Sequence, residues 1–349
     1  MKIVLFCKKP YSFSILRPLH IEAEKAGDEV LWYVESDILD IFPFIEDSSV
    51  SSSIQELSGF KADAIFVPGN EVPYFLRGVK VQIFHGLAGE KKGHFRIRNY
   101  FDLYLTPGTY FTQRFNKLAT KHGNFEVIET GWSKLDSLFL QKNDYNKEKQ
   151  ALIEKHNVKK IILFAPTFSP SLTCAEYLYD EILTLSQNPD FLVLLKFHDK
   201  MNKDIMDKYH QASQSLKNLT IVNNPNISKY LILSDIMISD TSSVVYEFLL
   251  LDKPVITFKS SSKNIKWLDI DNPNTLKQSV KDVLEYDISK NDRKWIIDNY
   301  HPYSDGQSAK RMIEVVREWL SRNPVPEKRK LPLLRRWKIS KKYNKIKKK

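Results

Sequence analysis

Short runs of apolar residues alternate with stretches of helical spacing through the first half of the chain. The stretch Ser14–Ala26 repeats its apolar residues at helical spacing and stops at Gly27, a residue that commonly ends helices. Near-continuous apolar strands that alternate with helices are typical of a parallel sheet covered on both faces. The expected strands are Ile3–Cys7, Val30–Val34, Ala62–Val67, Val79–Phe84, Leu103–Thr106 and Phe125–Thr130.

A second alternation of this kind follows the charged segment Lys142–His156, which lacks strand character and suits a helix or linker. The pattern predicts an α/β protein with two Rossmann-like domains that face a cleft where ligands bind. We place these domains at residues 1–141 and 159–322, with a linker at 142–158 and a basic tail at 323–349. The expected strands of the second half are Lys160–Ala165, Phe191–Phe197, Leu219–Val222, Asp235–Ser239 and Pro254–Phe258. The expected helices are Cys174–Gln187, Ile227–Ser234, Thr241–Leu251, Lys277–Tyr286 and Gln307–Arg322.

Length and composition agree with two folded domains. The chain has 349 residues, enough for two cores of roughly 150 residues each, and 42% of its residues are hydrophobic. No window approaches the roughly 20 uninterrupted apolar residues of a membrane span. The five-residue apolar run before Lys8 is too short for a signal peptide, and Cys7 and Cys174 cannot form a disulfide framework. We therefore expect a cytoplasmic protein whose two cysteines are packing residues.

The net charge of +11 is concentrated at one end of the chain. The segment Lys328–Lys349 holds 12 of the 53 Lys and Arg residues and no acidic residue, which leaves 41 basic against 42 acidic residues elsewhere. A nucleic-acid enzyme usually carries a basic stripe on its folded body as well, so nucleic acid is not an expected partner. A basic tail on a neutral body suits an anionic surface such as the inner leaflet of a bacterial membrane.

The basic segment also contains apolar residues. Drawn as a helix, Leu333, Leu334 and Trp337 share one side, whereas Ile339, Tyr343 and Ile346 fall on another, so no single apolar stripe forms. We expect an electrostatic tether that salt weakens and that does not insert deeply; the alternative is a disordered solubilising tail. The residues expected to contact the membrane are Arg335, Arg336, Trp337, Lys338, Lys341 and Lys342.

The strongest candidate site follows the expected strand Asp235–Ser239. Asp240 and the three hydroxyl residues Thr241, Ser242 and Ser243 open the next expected helix. Backbone N–H groups, hydroxyl donors and the positive end of a helix dipole would meet there, which makes an anion site. The alternative is an ordinary helix cap. The position at the carboxyl edge of a parallel sheet favours a phosphate ligand.

A second candidate site is the sequence His85-Gly86-Leu87-Ala88-Gly89-Glu90-Lys91. An apolar strand delivers His85 to the carboxyl edge of the first sheet, Gly86 allows close backbone approach, and Lys91 offers a cation. Histidine is suited to taking a proton from an attacking hydroxyl near neutral pH. The alternative is a hydrogen-bonded loop histidine without a catalytic role. The spacing to His94 fits no helix or strand face and does not indicate a metal pair.

Two weaker pieces complete the pattern in the second half. Thr167 follows one expected strand, and Lys196 and His198 lie on the same side of another. Each is weak alone, because polar residues are common at strand ends. Together with His85 and the Ser242-Ser243 pair they form a series of polar strand ends, which is the lining that a phosphoanhydride donor needs.

These motifs, taken in order, resemble the CDP-glycerol glycerophosphotransferase family. The resemblance covers about residues 80–315 and implies a glycosyltransferase-B-like fold with the donor nucleotide in the C-terminal domain. The matching pieces are His85-Gly86-x(4)-Lys91-x-Gly93, Gly131-x(4)-Asp136-x-Leu138, Ala165-Pro166-Thr167, Lys196-x-His198, Asp240-x-Ser242-Ser243-x(3)-Glu247-Phe248, Asp252-Lys253-Pro254 and Asp305-Gly306-x-Ser308-Ala309-x-Arg311. The chain departs from the family pattern at Leu87-Ala88, Trp132-Ser133-Lys134, Phe168-Ser169 and Asp199, which keeps a different activated donor open.

By this resemblance His85 would be the catalytic base, supported by Gly86 and Lys91 on the acceptor side. His198, Ser242 and Ser243 would hold the donor pyrophosphate. The remaining donor-binding candidates are Thr167, Lys196, Thr241 and Glu247. No cofactor is firmly indicated, and a divalent cation stays open.

The resemblance implies transfer of glycerol phosphate, or a related polyol phosphate, from CDP-glycerol to a hydroxyl of a cell-surface polymer or lipid-linked acceptor, with release of CMP. Such an enzyme would lie on the cytoplasmic face of the cell membrane, bound peripherally to anionic lipid. The first alternative is a glycosyltransferase of the same fold that uses a nucleotide sugar in capsule or lipopolysaccharide synthesis. The second is a non-enzymatic protein that docks on the membrane. A nucleotide-sugar 2-epimerase is disfavoured because no clear set of paired carboxylates and bases is present.

Overall fold

Continuous apolar runs form the strands of the structure, a computed structural model that describes residues 1–87, 95–224, 227–263 and 265–344. Up to residue 140 the elements are β1 Lys2–Cys7, α1 Ser12–Lys25, β2 Glu29–Val34, β3 Val50–Ser51, α2 Ile54–Phe60, β4 Ala64–Val67, β5 Val79–Gln82, β6 Leu103–Thr106, α3 Thr109–His122, β7 Glu126–Glu129 and α4 Asp136–Leu140. Short 3-10 turns lie at Ser36–Ile41 and Ser133–Leu135.

The second half repeats the alternation of strands and helices. Its elements are α5 Asn146–His156, β8 Lys160–Phe164, α6 Tyr179–Gln187, β9 Phe191–Leu195, α7 Lys203–Ser215, β10 Leu219–Ile221, α8 Ile227–Leu233, β11 Ile236–Ser239, α9 Val244–Leu249, β12 Val255–Phe258, β13 Leu268–Ile270, α10 Leu276–Tyr286, α11 Lys290–Tyr300, α12 Ser308–Arg322 and α13 Leu333–Asn344, with a 3-10 turn at Pro273–Thr275.

Contacts divide the chain into two units, Met1–Ser137 with Asn299–Lys349, and Leu138–Asp298. The described strands of the first unit form a parallel sheet in the order β3-β2-β1-β4-β5-β6-β7. Those of the second unit form a parallel sheet in the order β10-β9-β8-β11-β12-β13. The prediction of two α/β units with parallel sheets is therefore confirmed.

The sequence order of the strands places a switch point in each sheet. In the second unit the chain runs outward from β8 through β9 to β10, and then returns to place β11 on the other side of β8. The loops that follow β8 and β11 therefore leave the same edge of the sheet in opposite directions. Ligands of open α/β sheets bind at such points, outside the carboxyl ends of the strands.

The domain boundary differs from the expected position after residue 322. Residues 299–322, including α12, belong to the first unit and not to the second. The physical reason is the amphipathic face of α12, whose buried residues include Met312 and Val316 and which packs against α1. An ion pair between Arg317 and Asp28 joins the same two parts of the chain.

The C-terminal segment also differs from expectation, because its described part is ordered on the first unit instead of extending as a tail. Leu331, Ile339 and Tyr343 are buried. The Gly78 N–H donates to the Pro326 carbonyl over 2.9 Å, which fixes the start of the segment. Residues 323–344 therefore pack on the first unit in this structure.

Two helices of the second unit begin later than the sequence pattern predicts. The expected helix at Cys174 begins at Tyr179, and the Cys174 N–H donates to the side chain of Asp240. The expected helix Thr241–Leu251 is reduced to Val244–Leu249. The Ser242 hydroxyl bonds to the nearby Val244 N–H, a local competition that disfavours helix formation, and Thr241 accepts from the more distant Ser261 N–H.

Both cysteines are fully buried, and burial raises the pKa of Cys7 to about 12, in agreement with a packing role. Among the described helices, none combines the length and the apolar character that crossing a bilayer requires.

Candidate active site

His85 lies three residues beyond the end of β5, at the carboxyl edge of the first sheet. Its side chain is half-buried, its Nδ1 is 2.9 Å from the carbonyl oxygen of Pro68, and its ring lies 5.6 Å from that of Tyr11. Because a carbonyl can only accept, the neutral ring carries its proton on Nδ1 and keeps its lone pair on Nε2. This tautomer suits a general base that acts through Nε2.

The loop that follows His85 is only partly described. At Gly86 an added Cβ would meet no atom within 4 Å among the described residues, so packing there does not require glycine. Lys91, Gly89, Gly93 and His94 lie outside the described residues, and the acceptor-side role of Lys91 stays a prediction.

Trp132 supports the strand end that carries His85. Its fully buried indole Nε1 donates to the Phe84 carbonyl over 2.6 Å, and its backbone N–H donates to Nε2 of His301 over 2.9 Å. Burial lowers the pKa of His301 to about 4, so this ring is neutral near pH 7 and can accept the bond. His301 thus holds Trp132, and Trp132 holds the peptide next to His85.

The Gly131–Leu138 and Asp305–Arg311 motifs meet at this support. Gly131 has φ +88°, and a Cβ there would lie 2.4 Å from Ser308 Oγ, so the position requires glycine. The buried Asp136 carboxylate accepts from the N–H groups of Ser308 and Ala309, which caps the start of α12. Both motifs therefore have a structural role here. Nothing in the sequence identified Trp132 or His301 as part of this support.

Trp132→Phe is expected to slow the transfer reaction that the resemblance implies about 5- to 10-fold, because it removes one hydrogen bond worth about 1 kcal/mol from the peptide beside His85. Donor affinity should stay unchanged, since the donor-binding candidates lie in the other unit. The matched control is Trp319→Phe, which removes a buried indole bond to Glu126 of 2.7 Å at the opposite end of the sheet. Steady-state kinetics that show a raised donor KM and an unaltered kcat would contradict this role of Trp132.

In the second unit the candidate residues follow strands that are neighbours in the sheet. Thr167 follows β8, Lys196 and His198 follow β9, and the hydroxyl run follows β11. The strands are parallel, so these residues follow their carboxyl ends and lie at one edge of the sheet.

Asp240 organises this edge. Its carboxylate is 1% exposed and accepts from the Thr167 N–H at 3.0 Å and from the Cys174 N–H at 3.0 Å. Burial raises the pKa of Asp240, while the two N–H donors oppose that shift by stabilising the charged form. Asp240 thus ties the loop after β8 to the loop after β11, across the switch point. In the sequence, Asp240 stands out only as the first residue of the Asp240-x-Ser242-Ser243 motif.

The hydroxyl residues after Asp240 differ in what they contact. Thr241 Oγ1 accepts from the Ser261 N–H over 2.8 Å, which connects the loop after β12. Ser242 Oγ lies 3.4 Å from the Val244 N–H, a weak capping bond. Ser243 is exposed, and its side chain makes no capping bond to α9, so the helix-cap alternative does not account for it. Glu247 is 4% exposed and lies within α9.

The residues after β9 extend the edge. His198 is exposed, its ring lies 4.3 Å from that of Phe168, and its Nδ1 accepts from the Lys200 N–H over 3.1 Å. The bond to Lys200 leaves His198 Nε2 as the nitrogen that would carry the proton and donate. Lys196 Nζ donates to the Phe197 carbonyl over 2.9 Å.

Asp240→Ala is expected to lower the free energy of unfolding by about 2–4 kcal/mol, because it leaves the buried Cys174 N–H and the part-buried Thr167 N–H without this acceptor. Donor binding should weaken as well, since the Thr167 and Ser242 loops lose their connection. Denaturant unfolding and calorimetry measure the two effects. Asp207→Ala, at an exposed aspartate on α7 of the same unit, is the control and should change neither; a stable Asp240→Ala protein would refute the positioning role.

Among the described residues, no group of three or more His, Cys, Asp or Glu side chains is arranged to hold a metal ion.

A family model described as CDP-Glycerol:Poly(glycerophosphate) glycerophosphotransferase matches residues 81–265, more than half of the chain. The matched range contains His85, Trp132, Asp240 and the Ser242-Ser243 pair. It therefore spans the candidate residues of both units.

Curated relatives of similar sequence act in teichoic acid synthesis. The chain is 25% identical over 191 residues to the teichoic acid glycerol-phosphate primase of Bacillus subtilis (strain 168), covering 51% of this chain and 49% of that protein. It is 26% identical over 293 residues to the teichoic acid ribitol-phosphate polymerase TarL of Staphylococcus aureus (strain NCTC 8325 / PS 47), covering 72% and 51%. The chain spans about half of the length of these relatives.

Solved structures share the fold. The wall teichoic acid polymerase TagF has a TM-score of 0.63 at 16% identity, with 92% of this chain and 89% of that chain covered. The S. aureus MnaA–UDP structure has a TM-score of 0.66 at 15% identity, with 92% and 97% covered. At this identity the likeness shows a common glycosyltransferase-B-like fold and nothing about the substrate.

Proposed function

Because the chain belongs to the CDP-glycerol:poly(glycerophosphate) glycerophosphotransferase family, we propose that it transfers glycerol phosphate or a related polyol phosphate from CDP-glycerol to an acceptor hydroxyl. The acceptor is a cell-surface polymer or a lipid-linked chain, and CMP is released. The observation that carries the proposal is His85, which the sheet presents at its carboxyl edge with Nε2 as the basic nitrogen.

The proposed step is a direct displacement at phosphorus. Nε2 of His85 takes the proton of the acceptor hydroxyl, and that oxygen forms a new bond to the β-phosphorus of the donor. The bond from the β-phosphorus to the bridging oxygen breaks, and its electron pair leaves with CMP. The Pro68 carbonyl orients the ring and stabilises the imidazolium that forms, because it accepts from Nδ1–H in both charge states.

The second unit supplies the donor site in this proposal. Ser242 and Ser243 hydroxyls and the N–H groups at the start of α9 bind the pyrophosphate, and His198 adds a donor from the neighbouring loop. Lys196 offers a positive charge that offsets the charge on the leaving group. Asp240 positions the loop of Thr167 against that of Ser242.

The proposed place of action is the cytoplasmic face of the cell membrane, where a lipid-linked acceptor would be available. Support comes from the basic segment Lys328–Lys349, which carries the whole excess of positive charge. Anionic lipid attracts such a segment with about 1 kcal/mol for each Lys or Arg close to the surface.

The purified chain should release CMP from CDP-glycerol when a glycerol-phosphate acceptor is added, and His85→Ala should not. A panel of CDP-ribitol and nucleotide sugars, assayed in parallel for nucleotide release, identifies the donor. Turnover of a nucleotide sugar alone would replace the proposal by a glycosyltransferase of the same fold. Vesicle binding without turnover of any donor would favour the non-enzymatic alternative.

A further inference from the structure

The C-terminal helix α13 exposes three large apolar side chains. Leu333 is 79% exposed, Leu334 77% and Trp337 60%, and the described residues leave all three uncovered. They lie at positions i, i+1 and i+4 and therefore share one side of the helix. Lys341, one turn further on, places its Nζ 5.0 Å from the Trp337 ring centroid. We call Leu333, Leu334 and Trp337 the apolar ridge.

The opposite side of α13 is attached to the first unit. Ile339 and Tyr343 are each 2% exposed, and the Tyr343 ring lies edge-on to Phe6 of β1 at 6.5 Å. The Tyr343 hydroxyl accepts from Lys8 Nζ over 3.1 Å, and Lys342 forms an ion pair with Glu71. The helix is therefore fixed at the carboxyl ends of β1 and β4.

These contacts explain why the sequence shows no single apolar stripe. The segment has two apolar sets on different sides, and only one of them packs against the protein. The segment that leads into the helix is fixed too, since Arg329 pairs with the buried Asp102 and donates its N–H to the Tyr74 carbonyl over 2.8 Å. A rigidly held helix with a second, uncovered apolar set is arranged for contact with something outside the chain.

The charges beside the ridge indicate which partner fits. Lys338 and Lys341 are exposed on the same side, and no acidic residue occurs from Lys328 to Lys349. Protein interfaces are depleted of lysine, and a second copy of this chain would bring like charges together. An anionic bilayer can contact the apolar ridge and the lysines together, because Leu and Trp side chains enter the headgroup boundary while lysines remain at its charged surface.

We propose that the apolar ridge inserts into the headgroup region of an anionic lipid bilayer, with Lys338 and Lys341 contacting the lipid phosphates. The proposal deepens the membrane part of the proposed function and rests on it. It also changes the expected binding mode: Arg335 donates to the Arg98 carbonyl and Lys342 pairs with Glu71, so both face the protein. Apolar insertion then accompanies the electrostatic attraction, and binding survives in part at high salt.

The test is vesicle flotation of the full chain with point variants. Deletion of Lys328–Lys349 is unsuitable, because it would uncover the surface around Phe6 that Tyr343 covers. Leu333→Ser, Leu334→Ser and Trp337→Ser are combined in one protein. The matched control combines Leu140→Ser, Tyr286→Ser and Ile288→Ser, which are 66%, 67% and 56% exposed and lie in the second unit.

With phosphatidylcholine–phosphatidylglycerol vesicles, the ridge variant should bind at least about 10-fold more weakly than the full chain at both low and high salt. The control variant should bind like the unaltered chain, and pure phosphatidylcholine should bind less than the anionic mixture. A ridge variant that binds anionic vesicles normally overturns the proposal. A dimer in gel filtration that the ridge variant abolishes also overturns it, because the ridge would then contact a second copy.

Failure of this inference can be told apart from failure of the proposed enzyme. His85→Ala lies outside the ridge and should float with anionic vesicles like the unaltered chain, whatever it does to CMP release. A chain that floats through its ridge but releases no CMP from any donor would contradict the enzyme proposal alone. If the unaltered chain releases CMP with a soluble acceptor and the ridge variant still binds vesicles normally, this inference alone would be contradicted.

Discussion

His85→Ala is expected to lower the rate of transfer about 10²–10⁴-fold at saturating donor, the usual cost of losing a general base. The half-buried ring stands beyond β5, so its removal should leave the sheet intact. His85→Asn is the sharper variant, because its amide N–H can replace Nδ1–H as a donor to the Pro68 carbonyl while no basic nitrogen remains. Both variants should be equally inactive.

The measurement is CMP release at saturating donor and acceptor, together with thermal unfolding of each variant. His210→Ala, at an exposed histidine on α7, controls for loss of a histidine as such and should keep full activity. A folded His85→Ala protein with near-normal turnover would show that His85 is a structural loop histidine.

The strands and the edge positions of the candidate residues could be predicted because they depend on local sequence. The longer apolar runs form buried strands, as at Ile161–Phe164 and Ile236–Ile238, where every side chain is fully buried, whereas β7 Glu126–Glu129 is only partly buried. A parallel sheet then brings the residues after its strands to one edge. His85, Thr167, His198 and Ser242 follow from that rule without knowledge of the contacts that hold them.

The supporting contacts could not be predicted, because they join residues far apart in the chain. Trp132 meets a histidine 169 positions away, and nothing near either residue signals the pairing. Asp240 resembles a helix cap in the sequence, yet its carboxylate bonds to N–H groups 73 and 66 positions away.

The C-terminal part was misassigned for a related reason. The apolar positions of α12 predict a helix but not which sheet it covers, and its partner α1 lies almost 300 residues earlier. In the sequence of α13 the apolar residues form no single stripe, which suggested that the helix is not amphipathic. In the structure they form two sets on two different sides of the helix. Periodicity identifies one buried face well, and it becomes ambiguous when a helix has two.

The double variant Ser242→Ala with Ser243→Ala is expected to weaken binding of CDP-glycerol at least about 100-fold. Two hydroxyl donors to a charged pyrophosphate are lost, each worth about 1.5–3 kcal/mol, while the backbone N–H groups at the start of α9 remain. Stability should change little, because Ser243 makes no capping bond and the bond of Ser242 to Val244 is long at 3.4 Å.

Isothermal titration in the His85→Asn background measures this affinity without turnover of the donor, and its control is Ser213→Ala with Ser215→Ala at the end of α7. The two units then have separable signatures: the His85 variants lose rate and keep donor affinity, whereas the Ser242–Ser243 variant loses affinity. Unchanged affinity together with a large loss of stability would mean that these serines only begin a helix. The donor phosphates would then have to bind elsewhere than at the edge after β11.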